Sequence, residues 1–176
     1  MQDVTDFIKF YDLEHYLFNE VGPRFRSSGV IEPVDLFMIF VWKTNRAKTT
    51  IRNKLKKLAN GNFSDAVAQI ASALSSTEDR KERLAVLMCR WRLRLPTASA
   101  VLTVLYPEDF TVYDQRVCKM LNMQYRTKPF SETLWSHYEN YKDAVCRSTP
   151  AGLSLRDRDR FLWGKSFWQD AIKAAQ

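Results

Sequence analysis

The chain has 176 residues, 45% hydrophobic and 13% aromatic, so it can bury a sizeable core and wholesale disorder is excluded. No apolar run approaches the roughly 18 residues of a membrane span. Neither G-x-x-x-x-G-K nor G-x-G-x-x-G occurs, which argues against a nucleotide cofactor. Lys and Arg number 27 against 20 Asp and Glu, a net charge of +7. Such a balance points either to a polyanionic partner, most often nucleic acid, or to an ordinary solvated surface.

In chain order, the patterning predicts helices from end to end. The acidic opening, Met1 to Asp6, lacks the basic-then-apolar layout of a signal peptide. Residues 5–20 place Phe7, Ile8, Tyr11, Tyr16 and Leu17 at roughly helical spacing. Gly22-Pro23 and Ser27-Ser28-Gly29 are expected to form a loop. Pro33 suits a first helical position and opens an apolar helix through Trp42. A further helix is expected over 47–59, stopped at Asn60-Gly61. Residues 63–75 are small and apolar. Thr77 is the expected cap of a helix reaching Arg90, with Glu78 and Asp79 at its positive end.

Residues 97–106 read as a compact apolar helix that Pro107 ends. Phe110 to Tyr113 reads as an extended link, and Asp114 as the cap of the next helix. Residues 131–146 read as an aromatic-rich helix. Ser154 with Asp157 resembles a capping box opening the last helix. No repeat and no linker divides the chain, so a single helical domain over 1–176 is expected. Its central helices span about 33–122, and a terminal lobe comprises about 1–30 plus 130–176.

Cys89, Cys118 and Cys146 are too widely spaced for a disulfide framework or a zinc or iron–sulfur ligand set, and His15 and His137 belong to no metal motif. No metal and no cofactor is expected. The thiols are expected to be core or half-buried, in keeping with a reducing cytoplasmic setting, nucleoid-associated in a prokaryote.

Three stretches carry candidate chemistry. The run Lys43, Arg46, Lys48, Arg52, Lys54, Lys56 and Lys57 contains no acid. It reads either as a phosphate-binding patch or as a solvated helix face. Arg90-Trp91-Arg92-Leu93-Arg94 places alternate arginines in a tight connection. They could clamp phosphates or lie on the surface around a buried Leu93. A lone acid such as Asp114 after an apolar link is, from spacing alone, a helix cap.

The stretch Leu95-Pro96-Thr97-Ala98-Ser99-Ala100-Val101-Leu102, then Tyr106-Pro107, then Phe110-Thr111-Val112-Tyr113-Asp114-Gln115-Arg116-Val117 resembles the helix-hairpin-helix DNA glycosylase superfamily. Members of that family remove damaged or mispaired bases. Their pattern is a glycine-containing hairpin, a helix opening Thr-Ala, an extended link and an Asp leading the next helix. Thr97-Ala98 and Asp114 match it. Leu36 to Lys48 sits where the family has an apolar helix at the base pocket and DNA wedge, and Leu155 to Trp163 resembles the last family helix more weakly.

The departures are specific. Arg92, Leu93 and Arg94 stand where the family hairpin carries glycines. Pro96 stands where lyase-competent members carry Lys, and no Lys lies between Trp91 and Tyr106. The iron–sulfur cysteine cluster of some members is also missing.

The resemblance thus implies an all-α, helix-hairpin-helix glycosylase-like domain, its terminal helices packing as a second lobe. It implies a monofunctional N-glycosylase on double-stranded DNA, without a Schiff-base step. Lys43, Arg46, Lys48, Arg52, Arg92, Arg94 and Arg116 would hold DNA. A flipped base would enter a pocket of Trp42, Tyr113 and Trp91, and Asp114 would stabilise the oxocarbenium-like sugar. Two alternatives remain open. One is a catalytically inactive DNA-binding protein on the same scaffold. The other is a helical protein-interaction or helix-turn-helix module, although no short turn leads into a recognition helix.

Overall fold

A computed structural model describes residues 4–175, and every regular element among them is helical. A 3₁₀ segment, Val4–Phe10, ends at Tyr11-Asp12, so the helix expected over 5–20 is broken there. The Asp12 side chain caps α1 (Leu13–Tyr16), accepting from the His15 N–H at 3.0 Å. A π-helical turn, Leu17–Val21, leads directly into α2 (Gly22–Ser28).

The loop expected at Gly22-Pro23 is therefore helical. Pro23 lies in the first turn of α2, where its missing N–H costs nothing. Gly22 is required by packing: a Cβ there would meet the Val104 carbonyl oxygen at 2.4 Å. Only Gly29, left-handed at φ 70°, ends the rod as expected.

Helix α3 (Pro33–Thr44) begins at its proline, and α4 (Lys48–Leu58) stops at Asn60 and Gly61, both at positive φ. Helix α5 (Phe63–Ser75) is capped by Asn62. Helix α6 (Arg80–Ala85) is capped by Asp79, whose carboxylate accepts from Glu82 N–H at 2.8 Å. Thr77, the expected cap, instead donates its hydroxyl to the Ala73 carbonyl.

After a second π turn (Val86–Arg90) the chain folds back through Trp91–Arg94 into α7 (Leu95–Leu105). Helices α8 (Gln115–Met120), α9 (Glu132–Arg147) and α10 (Leu155–Ala174) complete the fold. At the start of α10 the capping box is altered: Ser154 accepts from the Asp157 N–H, but the Asp157 carboxylate takes the Ser154 hydroxyl.

One core of buried side chains draws on all ten α-helices, with α7 almost wholly inside it. The small residues of α7 explain its central place, because they let the rod through Gly22 approach backbone to backbone. The thiols divide: Cys118 is buried as expected, but Cys89 and Cys146 are exposed, each next to an exposed arginine at the end of its helical segment. No helix among the described residues is long and apolar enough to cross a membrane.

Candidate active-site cleft

The extended link is the key to the site. Residues 110–113 are buried yet pair with no strand, so their backbone polar groups need other partners. Side chains of α7 and α9 supply them. The Tyr138 hydroxyl donates to the Thr111 carbonyl at 2.7 Å and accepts from the Thr111 N–H at 3.1 Å. The Tyr141 hydroxyl donates to the Val112 carbonyl at 2.8 Å, and Ser99 Oγ accepts from the Tyr113 N–H at 2.9 Å. Burial pushes the Tyr138 and Tyr141 hydroxyls well above their ordinary range, so both stay protonated donors.

The next residue is Asp114, delivered to the floor of a cleft of about 540 Å³. Asp114 Oδ1 accepts from the Arg116 N–H at 2.8 Å, the expected cap of α8. Oδ2 accepts from Lys43 Nζ at 2.7 Å. Burial would raise this carboxyl; the Lys43 charge and hydrogen bond, with the N–H groups of Arg116 and Val117, hold it below the usual carboxylate range.

The walls come from three helices: Glu14 of α1, Trp42 and Lys43 at the end of α3, and Arg156, Asp159, Arg160 and Trp163 on one face of α10. Arg156 bridges Glu14 (2.6 Å) and Asp159, and its guanidinium lies 4.8 Å from the Phe18 ring and 5.2 Å from that of Trp42. Arg160 also reaches Glu14, at 2.7 Å. Asp159 is buried, and burial pushes its carboxyl up to about 6 against the pull of Arg156 and Lys43. In Glu14 the two arginines outweigh burial and bring the carboxyl down. Three acids and three bases thus neutralise one another inside the cleft.

Trp42 lines the cleft. Trp91 and Tyr113 do not: both are almost completely buried in the core, Trp91 behind the hairpin and Tyr113 stacked on Tyr125 at 5.3 Å. Along an extended link successive side chains point to opposite sides, so the register that turns Asp114 into the cleft turns Tyr113 away from it. The second aromatic wall is Trp163, stacked on Phe167 at 5.5 Å.

The basic residues also divide. Lys43 is paired in the cleft, and Arg116 is taken up by Asp170 at 2.5 Å and by the faces of Trp163 and Phe167. Lys48 donates to the Asn45 carbonyl, and Arg52 borders a groove with Phe37 and Phe63, away from the cleft. Arg46, Arg92 and Arg94 are exposed. Trp91 and Leu93 point inward while Arg92 and Arg94 point out, and Arg92 takes φ 53° where a glycine would be at ease. Lys54 Nζ, 3.3 Å from the Arg92 carbonyl, joins α4 to this hairpin.

Glu14, Arg156, Asp159, Arg160 and Trp163 were not anticipated as site residues. Their signal is positional: 156, 159, 160 and 163 follow the 3–4 spacing of one helix face, where an apolar stripe would be usual. Among the described residues no group of three or more His, Cys, Asp or Glu side chains is placed to hold a metal ion. Comparison with family models, with curated proteins and with solved structures gave no match to this chain.

Proposed function

We propose that the chain is a DNA-binding protein of base-excision type, a monofunctional N-glycosylase acting through Asp114. The observation that carries this reading is a half-buried carboxylate, held below the usual carboxylate range, at the floor of a cleft walled by two tryptophans, with an exposed basic hairpin on the same molecule. The cleft volume lies within the range of small-ligand sites, about 300–1,000 Å³, and suits one extrahelical nucleoside.

In this reading Arg92 and Arg94 hold the duplex backbone. A base turned out of the stack lies between Trp42 and Trp163. As its N-glycosidic bond breaks, positive charge grows at the sugar, and the Asp114 carboxylate opposes it. The bonding electron pair leaves with the base nitrogen, water adds at the anomeric carbon, and the proton it loses goes to the departing base. Lys43 Nζ donates to Asp114 Oδ2 and in this reading orients the carboxylate; Pro96 stands where lyase-competent members carry Lys, so no Schiff-base step is included.

The second reading is a DNA-binding scaffold without chemistry. Its support is the Lys43–Asp114 pair itself, which already satisfies the carboxylate. One experiment separates the two. Duplex DNA carrying a cationic abasic-sugar analogue is titrated beside unmodified duplex, with wild type and Asp114→Asn, at two salt concentrations. The glycosylase reading expects a preference for the analogue of tenfold or more, about 1.4 kcal/mol, lost in Asp114→Asn. Equal binding of both duplexes selects the scaffold.

A further inference from the structure

We propose that residues 121–130, the irregular segment between α8 and α9, form a second phosphate-gripping arm for duplex DNA, held in place relative to Asp114 by the Tyr113 hydroxyl. The inference rests on the DNA-binding reading and adds a surface to it.

Three observations carry it. The first is charge: from Gln115 to Ser131 the chain contains no acid but carries Arg116, Lys119, Arg126 and Lys128. Arg116 is spent on Asp170. Arg126 and Lys128 form no ion pair among the described residues. A protein with 20 acids that leaves both unneutralised keeps them available to an external anion.

The second is placement. Tyr125 stacks on Tyr113, and its hydroxyl lies within the fields of Asp114 and of Arg94. Burial raises that hydroxyl, Asp114 adds to the rise, and Arg94 opposes it. The arm therefore passes through Tyr125 beside the residue that precedes Asp114, on the side where Arg94 is felt.

The third is rigidity. An irregular segment grips a backbone well only if it is ordered beforehand. Here the Tyr113 hydroxyl accepts the Arg126 N–H at 2.7 Å and lies 3.2 Å from the Gln124 carbonyl and 2.9 Å from His137 Nε2. Burial holds this phenol far above its ordinary range, so it stays a neutral anchor at any working pH. Tyr113 is a positioning residue: it touches neither base nor phosphate, and it fixes the arm one residue away from Asp114.

The test measures binding of unmodified duplex by wild type and by Arg126→Ala/Lys128→Ala over a range of salt concentrations. Each lost phosphate contact makes the slope of log K against log salt shallower by about 0.9, so the double variant is expected to lose nearly two units of slope. Arg147→Ala/Lys173→Ala, which removes the same charge elsewhere, is expected to lose less than half as much. Tyr113→Phe is expected to free the Arg126 amide to hydrogen exchange and to reduce the slope in part. An unchanged slope in Arg126→Ala/Lys128→Ala, with wild type binding DNA, overturns the arm and leaves the DNA reading standing. Equal loss in both double variants also overturns it, because net charge alone then explains binding. Absence of wild-type binding at low salt overturns the DNA reading and the arm with it. If Tyr113→Phe frees the amide and leaves the slope untouched, the anchoring role is overturned.

Discussion

The cleft and the hairpin rim use the same residue types to opposite ends. In the cleft every charge has a partner: Lys43 on Asp114, Arg156 and Arg160 on Glu14, Arg156 again on Asp159. On the rim Arg92 and Arg94 have none among the described ion pairs, although one of them sits on a backbone turned into the left-handed region. Dielectric environment accounts for the contrast. A charge withdrawn from water must be paired or pay several kcal/mol, whereas an exposed guanidinium is solvated wherever it stands. Pairing in the cleft is thus a condition of folding. Its absence on the rim leaves charge for a partner.

That contrast breaks first, and hardest, at Arg156. Replacing it by Ala strands the buried Asp159 and leaves Glu14 to Arg160 alone, and loss of one member of a buried network costs about 3–5 kcal/mol. At about 2–4 °C per kcal/mol for a chain of this size, calorimetry is expected to show a fall in Tm of roughly 10 °C. Arg92→Ala/Arg94→Ala is the counterpart on the rim. Its Tm is expected to stay within a degree or two, since exposed substitutions rarely exceed about 0.5 kcal/mol. Its affinity for duplex DNA in 0.1 M salt is expected to fall by tens of fold, measured by fluorescence anisotropy. If Arg156→Ala leaves Tm unchanged while Arg92→Ala/Arg94→Ala lowers it, the division of labour is reversed.

A smaller effect comes from pH. Asp159 faces Arg156, Lys43, Asp114 and the Tyr141 hydroxyl, and its carboxyl is pushed up to about 6. A raised folded value means that the unfolded chain ionises first. The Asp159 contribution therefore weakens the fold as pH rises from about 4 to 6, and is constant above. Asp114 works in the other direction, its stabilisation being lost as pH falls through its lowered value. Between pH 7 and 5 the cleft gains one positive charge, and duplex affinity is expected to rise a few-fold in wild type and to stay flat in Asp159→Asn. The smallest expected signal is chemical. Borohydride added to protein with abasic duplex is expected to trap no covalent complex, because Pro96 stands where lyase-competent members carry Lys.

Local signals in the sequence were sufficient for most of the helices. Pro33, Asn60-Gly61, Asp114 and Ser154 mark ends by chemistry that acts within a few residues, and the structure places helix boundaries at each. Gly22-Pro23 misled because the reason for Gly22 is a contact with Val104, far away in sequence. The cleft was legible only in part. Asp114 and Trp42 line it, but the side to which Trp91 and Tyr113 turn depends on packing against α9 and the core, which spacing does not encode. In the sequence, Ser154 to Trp163 reads only as a capped helix weakly like a family helix, with nothing to mark a cleft wall. Asp159 is buried and Arg156 half-buried because α10 docks on α8 and α9 and pairs with Glu14 of α1, a tertiary fact.

The distribution of the five tryptophans gives the molecule a built-in optical readout. Trp91 lies in the dry core and Trp135 is half-buried against it, whereas Trp42 and Trp163 line the cleft and Trp168 faces water. Their emission should therefore separate into a blue, unquenchable component and a red component open to acrylamide. A base entering the cleft would darken only the emission of the wall tryptophans. Occupancy of the site can thus be followed without a label, with Trp91 as the internal standard.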